Sequence, residues 1–318
     1  MSKVSKPLPL FRLPTLLLTK IIRYMDLQEI LLISLASKKS GFIMRSLLPR
    51  NWFNLKLLFY IKETEIVLGA KGPWAPVRVK YENGGDLFKL QITQRLENVF
   101  YQWAGPQLQD PVKLLLTHFA TVFNPTISIY FGDICNQEFV MDVLPLLKQL
   151  NLSVKVLKFW DAQISPETYK YVLDEYREVS ELWLFCKISS DFEYRAGPDF
   201  RVDNFRVGEG HWMHLEDFVN CKEVAVYNHH QHKQPKYANL EEPRALIRKW
   251  IESECQLELF TVSSFPDKFD FRLVLQGQGL RTIEQTFSSH SVEIIRRSDG
   301  KKALVTCKWG FFELKVID

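Results

Sequence analysis

The sequence has 318 residues, 46% of them apolar and 25% charged, so it can bury a substantial core and has room for two or three folding units. Lysine and arginine number 41 against 37 acidic residues, and the net charge of +4, spread without a block of like charge, excludes nucleic acid as the default partner. The cysteines (Cys135, Cys186, Cys221, Cys255 and Cys307) are scattered with no Cys-x-x-Cys pair, the pattern of buried thiols in a reducing compartment, cytosol or nucleus.

The first strongly apolar stretch, PLPLFRLPTLLLTKIIRYM (Pro7 to Met25), is split by Arg12 and broken by Pro9 and Pro14, which argues against a secretory signal. Lys20 and Arg23 close it off well short of the roughly 20 uncharged residues of a membrane span. Pro14 suits the first turn of a helix expected over Thr15 to Met25, with Leu17, Leu18, Ile21, Ile22 and Met25 on an apolar stripe that Leu16 and Tyr24 widen. Asp26 and Glu29 have the spacing of a capping box, so a second helix is expected from Leu27 to Ala36, apolar nearly all round. SKKSG then reads as a polar break before a third helix that carries Phe42, Ile43, Leu47 and Leu48 and stops at Pro49. So small a unit hides only about 60% of the surface its unfolded chain exposes. Its surplus apolar groups must be covered by the rest of the chain or by a second protein.

The run PLFRLPTLLLTKIIRYMDLQEILLISLASKKS resembles the F-box motif. Leu13-Pro14, Ile21-Ile22 and Met25-Asp26 take the positions of its Leu-Pro, its first-helix apolar pair and its closing Leu-Asp; Ile30, Ile33 and Leu35 match its second helix. The departures are Leu16, Leu27 and Ala36, where Glu, Pro and Cys are common. The SKKS that follows, and the lack of a tryptophan there, resemble the nematode-expanded class whose remaining chain is a type 2 F-box-associated domain. The resemblance implies an F-box over residues 5–50, docking on the Skp-type adaptor of a cullin-RING (SCF) ubiquitin ligase, and a substrate-recognition domain over residues 51–318. The adaptor contacts it suggests are Pro9, Leu10, Leu13, Pro14, Leu17, Ile21, Ile22, Leu31 and Leu35, some of which must serve the internal core instead.

From Trp52 to about Thr93 the runs LKLLFYI, TEIVLG, VRVKY and FKLQI, punctuated by KGPWAP and ENGG, predict a small β-meander. Arg95 to Trp103 is too short and mixed to assign, and AGPQLQDP reads as a linker. Thereafter the strands ISIYF, VKVLKFW, ELWLF, KEVAVY and LELFTV alternate with helical or irregular stretches, the first three about 26 to 28 residues apart, as in leucine-rich βα units. EFVMDVLPLLKQL and SPETYKYVLDEYREV have helical spacing, the latter with a capped start at Ser165, Pro166 and Glu167, and EEPRALIRKWIES supplies a third helix. Lys187 to Asn220 interrupts the rhythm, and the asparagine ladder of true leucine-rich repeats is missing. The end of the chain predicts three strands with a tight Asp299-Gly300 turn. Type 2 associated domains often close in this way, and Arg297, Asp299, Gly300, Phe312, Leu314 and Val316 fit that resemblance, as does LIRKWIESECQLELFTV. The expected fold is α/β: an N-terminal three-helix F-box followed by a leucine-rich-repeat-like strand-helix domain with flanking β-meanders.

No phosphate loop, dinucleotide fingerprint, nucleophile elbow or zinc spacing occurs, so no catalytic, cofactor or metal residues are nominated. His229, His230 and His232 read as a solvated loop, and Asn151-Leu152-Ser153 as a chance glycosylation match in a reducing compartment. This composition suits a non-catalytic receptor that holds a target near a charged enzyme. Two surfaces present themselves for the target. One is the strand aromatics Tyr130, Trp160, Trp183 and Tyr227; the other, preferred, is Tyr194, Arg195, Phe200, Arg201, Phe205 and Arg206 in the interruption, suited to a phosphorylated signal. A repeat scaffold without a ligase, its N-terminal helices docked on their own chain, is the alternative.

Overall fold

The computed structural model describes residues 10–59, 64–72, 74–84, 87–94, 97–104, 111–133, 135, 137–227, 239, 241–263, 281–285, 289–308 and 310–317. The chain divides into two compact units: Met1–Leu58, Lys62–Ser128 and Val143–Val154 form the first, Phe59–Ile61, Ile129–Asp142 and Lys155–Asp318 the second.

The first unit opens with α1 (Thr15–Tyr24), α2 (Leu27–Ala36) and α3 (Lys38–Leu47), close to the expected spans. The capping box at the start of α2 forms, with the Asp26 backbone N–H donating to Glu29 Oε2 at 2.9 Å. SKKSG differs from expectation: Ser37 Oγ accepts from the Ser40 N–H at 3.1 Å while the Ser37 N–H donates to Ser40 Oγ at 2.9 Å, so the serines cap α3 and the two lysines lie in its first turn. Five neighbouring strands follow in the order β1 (Phe53–Phe59), β2 (Thr64–Ala70), β3 (Val77–Gly84), β4 (Leu87–Gln94) and β5 (Glu97–Ala104), antiparallel from β2 to β5. The last of these occupies the segment that sequence pattern left unassigned. Helix α4 (Pro111–Phe123) completes the unit, its Phe123 ring 5.1 Å from Phe53.

β6 (Thr126–Phe131) and α5 (Gln137–Gln149) contribute residues to both units. The second unit continues with β7 (Val154–Trp160), α6 (Pro166–Glu175), β8 (Glu181–Phe185), β9 (Asn204–Val207), β10 (Glu223–Val226), α7 (Glu241–Glu252) and β11 (Leu259–Ser263). Strands β7 to β11 are parallel neighbours in chain order. The α6 start is as expected: Ser165 Oγ accepts from the Thr168 N–H at 3.2 Å and Pro166 takes the first turn. β9 was not anticipated. It lies inside the supposed interruption, with Phe205 aligned between Leu182 and Val224. Alternation along these strands buries Leu157, Phe159, Leu182, Leu184, Phe205, Val207, Val224, Val226, Phe260 and Val262 on one face.

An antiparallel ribbon of β12 (Arg281–Gln285), β13 (Ser289–Ile295), β14 (Lys302–Lys308) and β15 (Phe311–Val316) closes the sheet against β11. In the β13–β14 connection only Gly300 takes a positive φ, 74°, so the two-residue turn expected from Asp299-Gly300 is replaced by a longer one. Asp299 serves it through its side chain: Arg296 donates to its carboxylate from Nε at 2.9 Å and from Nη2 at 2.7 Å, and from Nη1 to the Cys255 carbonyl at 2.7 Å. Hydrogen bonding from Arg296 holds the Asp299 carboxyl down at about 2, below its usual range. A carboxyl depressed on folding adds stability that is complete above its unfolded value of about 3.9 and is lost as pH falls through the folded value. Asp299→Asn should therefore lower the melting temperature at pH 7, and its difference from wild type should fade between about pH 4 and pH 2 in a series of thermal melts. A difference independent of pH would show that this ion pair does not contribute.

Candidate functional site

Helix α1 cannot hide everything it carries. Leu16, Leu17 and Leu18 are consecutive, so at 100° per residue they cannot share one face. Leu18 and Ile22 turn inward and are buried, whereas Leu16 is 73% exposed, Leu17 46% and Tyr24 92%. Phe11, in the short turn Leu10–Arg12 that leads into the helix, is 39% exposed, and Pro14 is exposed beside it. Leu10, Leu13 and Ile21 are half-buried at the edge of this apolar surface.

The second helix behaves differently. Leu27, Ile30 and Leu31 are fully buried, and the rest of the first unit supplies cover from beyond residue 50. α2 packs against β4, and α3 against α4. Ser34 Oγ lies 2.8 Å from His118 Nε2 of α4, and the Trp74 indole N–H donates to the Met25 carbonyl at 3.0 Å. A side chain at Gly41 of α3 would meet the Ser34 carbonyl at 3.3 Å and Val122 of α4 at 3.5 Å, so glycine permits this approach. Burial pushes the His118 imidazole down, which favours the neutral ring beside the Ser34 hydroxyl.

In the second unit, the face of β7 to β10 opposite the core is laid out in cross-strand rows. Lys158, Trp183 and Arg206 stand side by side, with Lys158 Nζ 3.4 Å and Arg206 Cζ 4.5 Å from the Trp183 ring centroid. Lys158 Nζ is also paired with Glu181 at 2.6 Å, and the Arg206 Nε donates to Asn204 Oδ1 at 2.9 Å. The next row holds Trp160, Phe185 and Tyr227, with centroids 4.8 Å and 5.6 Å apart. Trp160 is 55% exposed, and Tyr130, Trp183 and Tyr227 are half-buried.

The six residues preferred from sequence in the interruption do not form one surface, because most of that segment is core. Phe200 and Phe205 are buried against Phe218 at centroid distances of 5.3 Å each, which removes both from any contact surface. The Arg195 guanidinium is engaged: Nε and Nη2 each donate to the Asp217 carboxylate at 2.8 Å. The Tyr194 hydroxyl donates to Asp174 at 3.0 Å, and burial pushes that phenol up. Arg206 belongs to the sheet face described above, which leaves Arg201 exposed by itself. Length and polarity suggested a loop here because the apolar residues that anchor it, Phe192, Trp212, Met213 and Leu215, have no period.

All five cysteines are free thiols. Burial pushes Cys135 and Cys307 up to about 11 and Cys221 up to about 12, disfavouring their thiolates. Among the described residues no group of three or more His, Cys, Asp or Glu could hold a metal ion; His229, His230 and His232 lie outside them. No helix among the described residues is long and apolar enough to cross a membrane.

The three helices with the half-open first one coincide with the segment that comparison with known families picks out: residues 10–52 match the F-box domain family. This segment is an F-box domain. F-box domains generally bind Skp-type adaptors in cullin-RING ligases, and proteins that carry one are generally substrate receptors of SCF-type ligases. The chain is 21% identical over 282 residues to the Skn-1 dependent zygotic transcript 15 protein of Caenorhabditis elegans, an alignment that covers 79% of each chain. No solved structure matches. Of the F-box residues nominated for adaptor contact, Pro14 and Leu17 are exposed, Leu10, Leu13, Ile21 and Leu35 are half-buried, and Pro9 lies outside the described residues. Ile22 and Leu31, 2% and 1% exposed, are among those that serve the internal core, because apolar spacing marks a stripe without saying which side of it faces solvent. Leu16, Phe11 and Tyr24 were not nominated, although the triple leucine was a legible sign that one of them must point outward.

Proposed function

We propose that this protein is a non-catalytic substrate receptor of an SCF-type ubiquitin ligase, working in the cytosol or nucleus. What carries the proposal is an F-box domain whose first helix leaves Leu16 and Leu17 open to solvent. The adaptor covers this surface through Leu10, Leu13, Pro14, Leu17, Ile21 and Leu35, extended by Phe11 and Leu16, with Ile22 and Leu31 supporting it from beneath. Residues 51–318 act as a type 2 F-box-associated domain of leucine-rich-repeat-like character that holds the target; the consecutive parallel strands β7 to β11 support this assignment. Receptor and adaptor make no bonds themselves. They raise the effective concentration of a target lysine near a ubiquitin-charged enzyme.

A protein-interaction scaffold without a ligase is the second reading, favoured by the docking of α2 and α3 on elements of their own unit. One experiment separates the two. Purified full-length chain mixed with a Skp-type adaptor should co-elute in gel filtration as a complex with Kd of about 1 μM or tighter. Absence of a complex at tens of micromolar of each protein would leave the scaffold standing and remove the receptor.

A further inference from the structure

At the C-terminal ends of β7, β8 and β9 the aromatic row borders a cavity of about 240 Å3, lined by Trp160, Asp161, Phe185, Cys186, Lys187, Gly208 and Glu209. Its shape follows from register. Trp160 aligns with Phe185, and the pairings Leu184–Val207 and Val207–Val226 place the next residues, Phe185, Gly208 and Tyr227, in the same row. Glycine interrupts an otherwise aromatic row. A Cβ on Gly208 would come within 3.1 Å of the Phe185 ring and 3.2 Å of its Cα, so the missing side chain is what keeps space beside that ring.

Charge in this cavity is also arranged. Asp161 has φ of 56° and donates its backbone N–H to the Phe185 carbonyl at 2.8 Å, a left-handed position that aspartate and asparagine tolerate better than most residues. Glu209 lies on the other side of Gly208 in sequence. Asp161 and Glu209 both line the cavity, beside the buried Cys186 thiol, which burial and then these two carboxylates push up. Among the described residues Lys187 is the one cation in the lining, against two carboxylates, so the described lining is acidic. The neighbouring row differs: there Trp183 already carries two protein cations, Lys158 and Arg206.

The geometry points to a recognition pocket for a basic side chain, the guanidinium of an arginine or the ammonium of a lysine, presented by a partner polypeptide. Aromatic faces attract cations through the ring quadrupole, and carboxylates beside them neutralise the charge that a desolvated cation brings. An acidic side chain would meet the like charge of Asp161 and of Glu209, whose Oε2 accepts from the Ile188 N–H at 3.5 Å, and a purely apolar one would make no use of either charge. The pocket gives the target of the receptor proposed above a chemistry, and rests on that reading only in taking the cation to be part of a protein.

The test titrates full-length chain with capped arginine, lysine, norleucine and glutamate amides, using saturation-transfer NMR. Arginine or lysine should bind in the millimolar range, at least about tenfold tighter than norleucine or glutamate, and more weakly as salt is added. Trp160→Ala and Asp161→Asn should each weaken the cation by about fivefold or more, with circular dichroism unchanged; the first alters an exposed ring and the second keeps a side chain suited to the left-handed backbone. Arg201→Ala, on another part of the unit, should have no effect. Equal binding of norleucine, preference for glutamate, no binding by any of the four at tens of millimolar, or indifference to both variants would overturn the assignment. Adaptor binding measured on the same preparation keeps the two proposals apart: its loss removes the ligase reading and leaves the pocket, and the reverse outcome does the opposite.

Discussion

Replacing Leu16 and Leu17 together by aspartate should weaken the Skp-type adaptor complex by at least about a hundredfold while leaving the melting temperature unchanged. In the free protein Leu16 is 73% exposed and Leu17 46%, so aspartates at these positions keep access to water on folding. In a complex the same positions would lie under the partner, where truncating a central apolar anchor costs about 2 kcal/mol or more and a buried unpaired carboxylate costs further. Ile22→Asp is the contrasting case. Ile22 is 2% exposed, so an aspartate there should unfold the F-box and abolish binding for an uninformative reason. Surface plasmon resonance alongside calorimetry checks both expectations, and a folded Leu16→Asp, Leu17→Asp protein that binds as tightly as wild type would sink the adaptor assignment.

Trp212→Ala should destabilise the second unit by about 3 to 5 kcal/mol, lowering its melting temperature by about 10 °C. The indole is fully buried, and its ring meets Tyr169 at 5.8 Å, Phe192 at 5.5 Å, Tyr194 at 5.9 Å and Phe218 at 6.1 Å. Removing it leaves a void bordered by the α6 helix and the segment that crosses from β8 to β10. Arg201→Ala, exposed in the same segment, should stay within about 0.5 kcal/mol of wild type. Differential scanning calorimetry of both variants decides the matter. A neutral Trp212→Ala would mean that residues 187–220 are a dispensable surface loop after all.

What the sequence disclosed was whatever short-range chemistry controls. The α2 and α6 starts were legible because Asp26 with Glu29, and Ser165 with Pro166, act within one turn. Strand β9 was not, because Asn-Phe-Arg-Val offers only two apolar residues, and its identity comes from neighbours 23 and 19 positions away along the chain, Leu182 and Val224 on either side of Phe205. The candidate surfaces divide in the same way. Periodicity located the apolar stripe of α1, but Ile22 against Leu17 was settled by which side the remainder of the unit covers. Phe200 and Phe205 looked like hot-spot residues by composition, and their packing on each other and on Phe218 makes them core. The strand aromatics fared better, since alternation along VKVLKFW and ELWLF already separated Trp160 and Trp183 from Phe159 and Leu184.

The contact of Ser34 with His118, and the tight fit of Gly41 beneath Val122, bear on how such a protein could be re-engineered. Chimeras that exchange recognition modules usually treat the adaptor-binding end as a detachable cassette. Here a splice after residue 50 would strip α2 and α3 of the helix they lean on and leave an imidazole without its hydroxyl. A working hybrid has to carry α4 along with the helices it shelters, placing the joint beyond Phe123.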